Sequence, residues 1–180
     1  LAFFGVAVLL GLSPGPDNLF VLMQSAQRGW RVGLCVVLGL CLGLVVHTAA
    51  VALGLAALVA ASPLLFMAIK LCGAAYLTWL AWGALRAVAR PGEMPPAGTA
   101  DPLTPARALR WVGRGVVMNL TNPKVLIFFL AFLPQFADPA RGSVATQVMV
   151  LGSLIMLAAL LGFGAIACCS GWFGVLLQRS

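Results

Sequence analysis

Five apolar segments, each about as long as a membrane is thick, constrain the fold of this chain more than any other feature. A hydrocarbon core of roughly 30 Å requires about 20 helical residues at 1.5 Å per residue. Hydrophobic residues make up 62% of the 180 residues and charged residues 8%, which soluble domains do not normally show. We predict an all-α, polytopic transmembrane helical bundle with spans near 2–26, 33–60, 64–85, 115–136 and 144–169.

The two ends of the sequence bear on the number of spans. The chain begins with Leu1 rather than a methionine and ends at Ser180. We expect residues 1–180 to be a single integral membrane domain with five of six spans, the C-terminal sixth span being missing. No basic stretch precedes the first segment and no small-residue cleavage site follows a short apolar core, so we interpret it as a span rather than a signal peptide.

The distribution of basic residues predicts the orientation of the chain. The net charge is +7, and most arginines lie in three places. Arg28 and Arg31 follow the first span, five arginines lie in the linker 86–114, and Arg179 follows the fifth span. By the positive-inside rule these regions are cytoplasmic. Because the charges follow loops rather than one exposed basic patch, we expect the lipid bilayer and not a nucleic acid as the partner.

Patterns typical of enzymes and cofactor sites are missing from the sequence. The five cysteines lie in apolar segments without a C-x-x-C pair, where cysteine behaves as a small apolar residue. There is no G-x-x-x-x-G-K-[ST] motif, and one histidine with scattered cysteines makes no zinc site. Ser13 and His47 lack the further groups that a hydrolase needs. We predict no cofactor, no metal and no enzyme activity.

Two polar motifs that contain proline interrupt apolar segments at corresponding places in the two halves of the chain. The motif "SPGPDN" interrupts the first span and "NLTNPK" interrupts the fourth. Two simple proline kinks are the alternative interpretation, but ionisable residues inside spans usually face a cavity or a partner. Three spans in each half predict two inverted three-helix repeats with broken first helices, which point to a transporter's substrate site. The candidate substrate- or ion-binding residues are Pro14, Gly15, Pro16, Asp17, Asn18, Asn119, Asn122, Pro123 and Lys124.

Asp17 and Lys124 each follow the proline of a motif and carry opposite charges. A helix that restarts near Pro16 would point backbone N–H groups and the positive end of its dipole into the break, which suits a carboxylate. We expect Asp17 and Lys124 to lie near each other in the bundle interior and either to pair or to separate around a zwitterion. Lys124 would then bind the carboxylate and Asp17 the ammonium group.

The second span carries an ordered face of its own. Gly39, Gly43 and His47 are spaced by four residues and therefore lie on one side of a helix. The Gly-x-x-x-Gly spacing predicts the close approach of a neighbouring helix. His47 is either an interhelical hydrogen-bonding residue or a proton relay in a coupled cycle.

Four stretches of the sequence resemble the LysE/RhtB family of bacterial amino-acid exporters. They are "LSPGPDNLFVL", "GLVVH", "GAAYLTWLAWGALRA" and "GRGVVMNLTNPKVLIFFLAFLPQF". The resemblance implies a six-span protein of the bacterial inner membrane that exports amino acids or close derivatives, among them lysine, threonine, homoserine and leucine. The family's motifs fall here on Pro14, Gly15, Pro16 and Asp17 and on Asn122, Pro123 and Lys124.

The sequence therefore predicts a secondary transporter whose partner is a small amino-acid substrate. Because no nucleotide-binding motif is present, an ion gradient or exchange is expected to drive export. The alternatives are a passive channel and a structural membrane subunit without transport. The sequence leaves open which amino acid is carried and whether the protein works as a monomer or a homodimer.

Overall fold

The computed structural model describes residues 15–62 and 103–179, together with positions 3, 5, 64, 67, 68, 71, 75 and 78. This part of the chain is all-α as predicted, because its main elements are five α-helices and it contains no β-strand. Pro14, most of the predicted span at 64–85 and the linker before residue 103 lie outside the described residues. The helices are α1 (Pro16–Arg28), α2 (Trp30–Ala61), α3 (Pro105–Leu120), α4 (Pro123–Ile127) and α5 (Val144–Arg179).

Two of the described helices are long and apolar enough to cross a membrane by themselves. They contain the apolar stretches Trp30–Gly54 of α2 and Val144–Ser170 of α5. Large apolar side chains face outward on both, including Leu53 at 78% exposure and Leu161 at 60%. Such exposure is costly in water but not in lipid, so these faces are suited to hydrocarbon.

The segment from α3 to Phe136 is a bent helix pair that becomes a third span if its two halves are counted together. Pro105–Leu120 and Pro123–Phe136 meet at an angle of 55°. The bend falls before Pro123, which lacks the N–H group that a continuous helix would need. After α4 the chain continues as a π-helical turn, Phe128–Phe132, and a 3₁₀ turn, Leu133–Phe136.

Helix α2 is central to the packing, since it contacts α1, α3 and α5. Glycines let the backbones approach closely, as the Gly-x-x-x-Gly spacing predicts. A Cβ atom on Gly39 would lie 2.1 Å from the carbonyl oxygen of Val112, and one on Gly115 would lie 2.3 Å from that of Val36. This contact fixes α3 against the face of α2 that also carries His47, and so positions the site described next.

Candidate functional site

The two proline motifs each start a helix, and both helix starts open onto the same space. Helix α1 begins at Pro16 after Gly15, which provides no side-chain cap. Helix α4 begins at Pro123, and its N-cap is Asn122, whose Oδ1 accepts a hydrogen bond from the Lys124 N–H at 3.0 Å. Proline suits the first position of a helix because its φ angle is already helical and no N–H group is lost there.

A cavity of about 60 Å³ lies where the two helix starts meet. Polar groups of the two motifs form one side, and apolar side chains of α2, of the α4 region and of α5 form the other. The lining residues are Gly15, Asp17, Asn18, Leu44, Asn119, Asn122, Lys124, Val125, Phe128, Phe129, Ile155, Ala159 and Phe163.

Asp17 and Asn119 form the buried polar centre of this cavity. Asp17 is 4% exposed and Asn119 is 1% exposed. The Asn119 amide donates a hydrogen bond from Nδ2 to Asp17 Oδ2 at 3.4 Å, across 102 residues of sequence. The Asn122 side chain also interacts with this carboxylate without completing a hydrogen bond to Oδ1.

Two acceptor oxygens at this centre have no hydrogen-bond partner among the described residues, namely Asp17 Oδ1 and Asn119 Oδ1. Buried polar atoms are usually satisfied by protein, water or ligand, and leaving one unsatisfied costs about 1–3 kcal/mol. The arrangement can therefore accept hydrogen bonds from a donor group such as an ammonium ion.

Lys124 supplies the opposite charge on the same cavity. Its side chain is partly buried, and it interacts electrostatically with Asp17. Opposite charges attract more strongly where water is scarce. The site thus presents a carboxylate and an ammonium group to one small cavity.

His47 lies one layer behind the cavity and does not line it. Its ring is buried and stacks on Phe129 at 5.5 Å between ring centroids. Nε2 of His47 lies 3.4 Å from the backbone oxygen of Asn119. One helical turn before His47, Gly43 lies directly against the Asn119 side chain, so α2 supports Asn119 from behind.

Six of the nine residues singled out in the two motifs line the cavity, and two others do not. Pro16 and Pro123 are exposed helix starts that do not line the cavity, and Pro14 lies outside the described residues. The apolar side of the cavity was not predicted from the sequence. Ile155, Ala159 and Phe163 share a four-residue spacing on α5, but lipid-facing residues are equally apolar, so this signal does not stand out.

The described residues hold no group of three or more His, Cys, Asp or Glu side chains that could bind a metal ion.

Apolar helices, a bent helix pair and a buried polar cavity between them define a helical membrane protein. A family model described as "LysE type translocator" matches residues 4–180. The chain belongs to the LysE type translocator family. No solved structure gives a significant match to the chain.

Two of the relatives similar to this chain are named as efflux proteins. A homoserine/homoserine lactone efflux protein of Salmonella typhimurium is 36% identical over 154 residues, which cover 84% of this chain and 70% of that protein. A leucine efflux protein of Enterobacter sp. is 32% identical over 151 residues, covering 84% and 69%. An uncharacterized membrane protein of Pseudomonas aeruginosa is 38% identical over 154 residues, covering 86% and 71%.

Proposed function

We propose that this protein is a secondary transporter that exports amino acids or close derivatives across the bacterial inner membrane. Membership of the LysE type translocator family and the efflux proteins among its relatives support export. The observation that carries the proposal is the placement of Asp17 and Lys124 on one buried cavity. An ion gradient drives the cycle, since the sequence holds no nucleotide-binding motif.

The cavity recognises the charged groups that amino acids share. The Lys124 ammonium group binds the substrate carboxylate, and the Asp17 carboxylate binds the substrate ammonium group. Asp17 Oδ1, a buried acceptor without a hydrogen-bond partner among the described residues, supports this assignment, because an ammonium ion has three donors to offer. The apolar wall contributed by α5 accommodates the substrate side chain.

The full transporter has six spans in two inverted three-helix repeats. The matching positions of the two breaks support this arrangement, since helix starts at Pro16 and Pro123 open onto one cavity. Inverted repeats with broken helices typically place the substrate at the repeat interface. The bend of 55° between the halves of the second broken span is consistent with such a break.

His47 is proposed as the proton relay of the coupled cycle. Its Nε2 lies 3.4 Å from the backbone oxygen of Asn119, the residue whose side chain donates a hydrogen bond to Asp17, and an imidazole can take up and release a proton. His47→Gln separates this role from simple hydrogen bonding, because glutamine can replace the bond but cannot carry a proton. A relay predicts that gradient-driven efflux is lost in the glutamine variant, whereas normal efflux there assigns His47 a structural role.

The central test measures efflux of amino acids from loaded cells that express Asp17→Asn or Lys124→Gln. Each variant removes one of the two charges proposed to bind the substrate, so efflux should be lost in each, and the folding cost of leaving the other charge unpaired is monitored through membrane levels. The charge-swapped double variant should recover part of the loss if attraction between the two groups matters. Wild-type efflux in either single variant, at normal membrane levels, would refute the proposed site.

The ion pair between Asp138 and Arg141 provides matched controls. Its atoms lie 3.2 Å apart on exposed side chains outside the cavity. Exposed pairs contribute about 0–1 kcal/mol, so Asp138→Asn and Arg141→Gln should keep efflux within a few-fold of wild type.

A protonophore distinguishes the remaining alternatives. When the protonophore is added, an ion-driven transporter loses efflux against a concentration gradient. A channel does not support efflux against a gradient with or without the protonophore, and a structural subunit gives no efflux phenotype.

A further inference from the structure

A groove on the basic end of the bundle is distinct from the substrate cavity. Phe20 of α1 forms one side, and Arg110, Gly113, Arg114, Val117 and Met118 of α3 form the other. We call this surface the arginine groove. None of its residues lines the substrate cavity.

Two guanidinium groups lie over one indole ring beside this groove. Arg114 lies 4.5 Å from the ring centroid of Trp111, and Arg28 of α1 lies 5.2 Å from the same ring. Arg110 is one turn before Arg114 on the same helix. No carboxylate in residues 15–62 or 103–179 forms an ion pair with these three arginines. Like charges held close together attract an anion.

The groove changes character along α3 in the direction that a lipid would require. Trp111 belongs to the residue type that prefers the headgroup level of a membrane, and the arginines lie beside it. Val117, which is 61% exposed, and Met118 follow one to two turns farther along the helix. At 1.5 Å per residue, Val117 and Met118 lie about 5–6 Å beyond Arg114 and about 11–12 Å beyond Arg110 along the helix.

We propose that the arginine groove binds an anionic glycerophospholipid of the cytoplasmic leaflet. The phosphate lies between Arg110 and Arg114, with Arg28 nearby, and an acyl chain runs along Val117, Met118 and Phe20. Charge complementarity selects an anionic lipid, and the apolar end of the groove selects a lipid over a free phosphate ion. The positive-inside rule accounts for basic residues on this side, but not for their convergence at an apolar groove.

The test uses native mass spectrometry of the purified protein in detergent with equal amounts of phosphatidylglycerol and phosphatidylethanolamine. Wild type should retain phosphatidylglycerol preferentially. Arg110→Gln and Arg114→Gln should each reduce that preference roughly five-fold, the effect of one basic residue at an anionic surface. Arg31→Gln is the matched control, because it removes one charge near the same face but Arg31 lies over Trp30 and outside the groove.

Two further arms test the position of the lipid. Val117→Asn should weaken phosphatidylglycerol retention without removing a charge, and glycerol phosphate in excess should not displace the lipid. The proposal is overturned if wild type shows no preference for phosphatidylglycerol. It is also overturned if Arg31→Gln lowers the preference as much as Arg114→Gln, or if glycerol phosphate competes fully. Thermal unfolding of each variant confirms that it is folded.

Discussion

Replacing Gly43 by alanine tests how firmly the polar centre of the cavity is held in place. A Cβ atom at this position would lie 2.5 Å from Oδ1, 2.7 Å from Cβ and 2.9 Å from Cγ of Asn119. Rotation of the Asn119 side chain cannot relieve the contact with its own Cβ. Because helical interiors are close-packed, Asn119 and helix α3 must therefore move away from α2 by roughly 0.5–1 Å.

This displacement acts on a hydrogen bond that is already long. The Asn119 Nδ2 to Asp17 Oδ2 distance is 3.4 Å, near the limit of a hydrogen bond, so a shift of this size in Asn119 changes the length and angle of the bond. Interhelical hydrogen bonds in membranes contribute about 0.6 kcal/mol on average and up to about 1.7 kcal/mol, while overpacking costs about 1–3 kcal/mol. We expect the free energy of unfolding to fall by about 1–3 kcal/mol and efflux to fall roughly three-fold to twenty-fold.

The assay combines efflux from loaded cells with thermal unfolding of the purified protein. Gly54→Ala is the matched control, since Gly54 is on the same helix and a Cβ there meets nothing within 4 Å. Membrane levels of both variants are measured so that efflux is compared per molecule. If Gly43→Ala exports and unfolds like Gly54→Ala, then contact between α2 and Asn119 does not hold the cavity in shape.

Three further substitutions probe the scaffold around the site. Asn122→Ala removes the cap of α4 and should lower stability by about 1 kcal/mol, whereas Asn122→Ser retains a capping oxygen and should remain close to wild type in thermal unfolding. Gly115→Val should separate α2 from α3 and reduce the folded fraction in detergent, because its Cβ would lie 2.3 Å from the Val36 carbonyl oxygen. Gly113→Val should leave the folded fraction unchanged, because a Cβ at Gly113 meets nothing within 4 Å. In Gly152→Ala the new Cβ would lie 2.3 Å from the Thr48 side chain, so this variant should have a lower unfolding temperature. Gly164→Ala, where a Cβ meets nothing within 4 Å, is the control, and equal unfolding temperatures of the two variants would contradict this packing.

The helix starts of the site were predictable because proline imposes them locally. Pro16 and Pro123 begin helices in the structure as the two motifs predict, since a missing N–H and a fixed φ angle act whatever the surroundings. The face of α2 that meets α3 was also predictable, because only glycines permit the approach seen at Gly39. These features depend on residue chemistry over a few neighbouring positions.

Other features depend on tertiary packing and left no comparable trace in the sequence. Helix α3 begins at Pro105, ten residues before the predicted start of the fourth span at 115, because arginines at the headgroup level do not interrupt a helix. The π-helical turn Phe128–Phe132 has no local signal. Phe129 and Phe163 face the cavity, but in a membrane both the lipid-facing and the interior faces of a helix are apolar, so hydrophobic periodicity cannot assign them.

The hydrogen bond between Asp17 and Asn119 also has a consequence for biosynthesis. Its two residues are separated by 102 positions, and ribosomes add about 5–20 residues per second, so Asp17 is made roughly 5–20 s before its partner. During that interval the first segment reaches the membrane with a carboxylate that Asn119 cannot yet satisfy. The buried polar centre of the cavity can therefore form only after the second motif has been made.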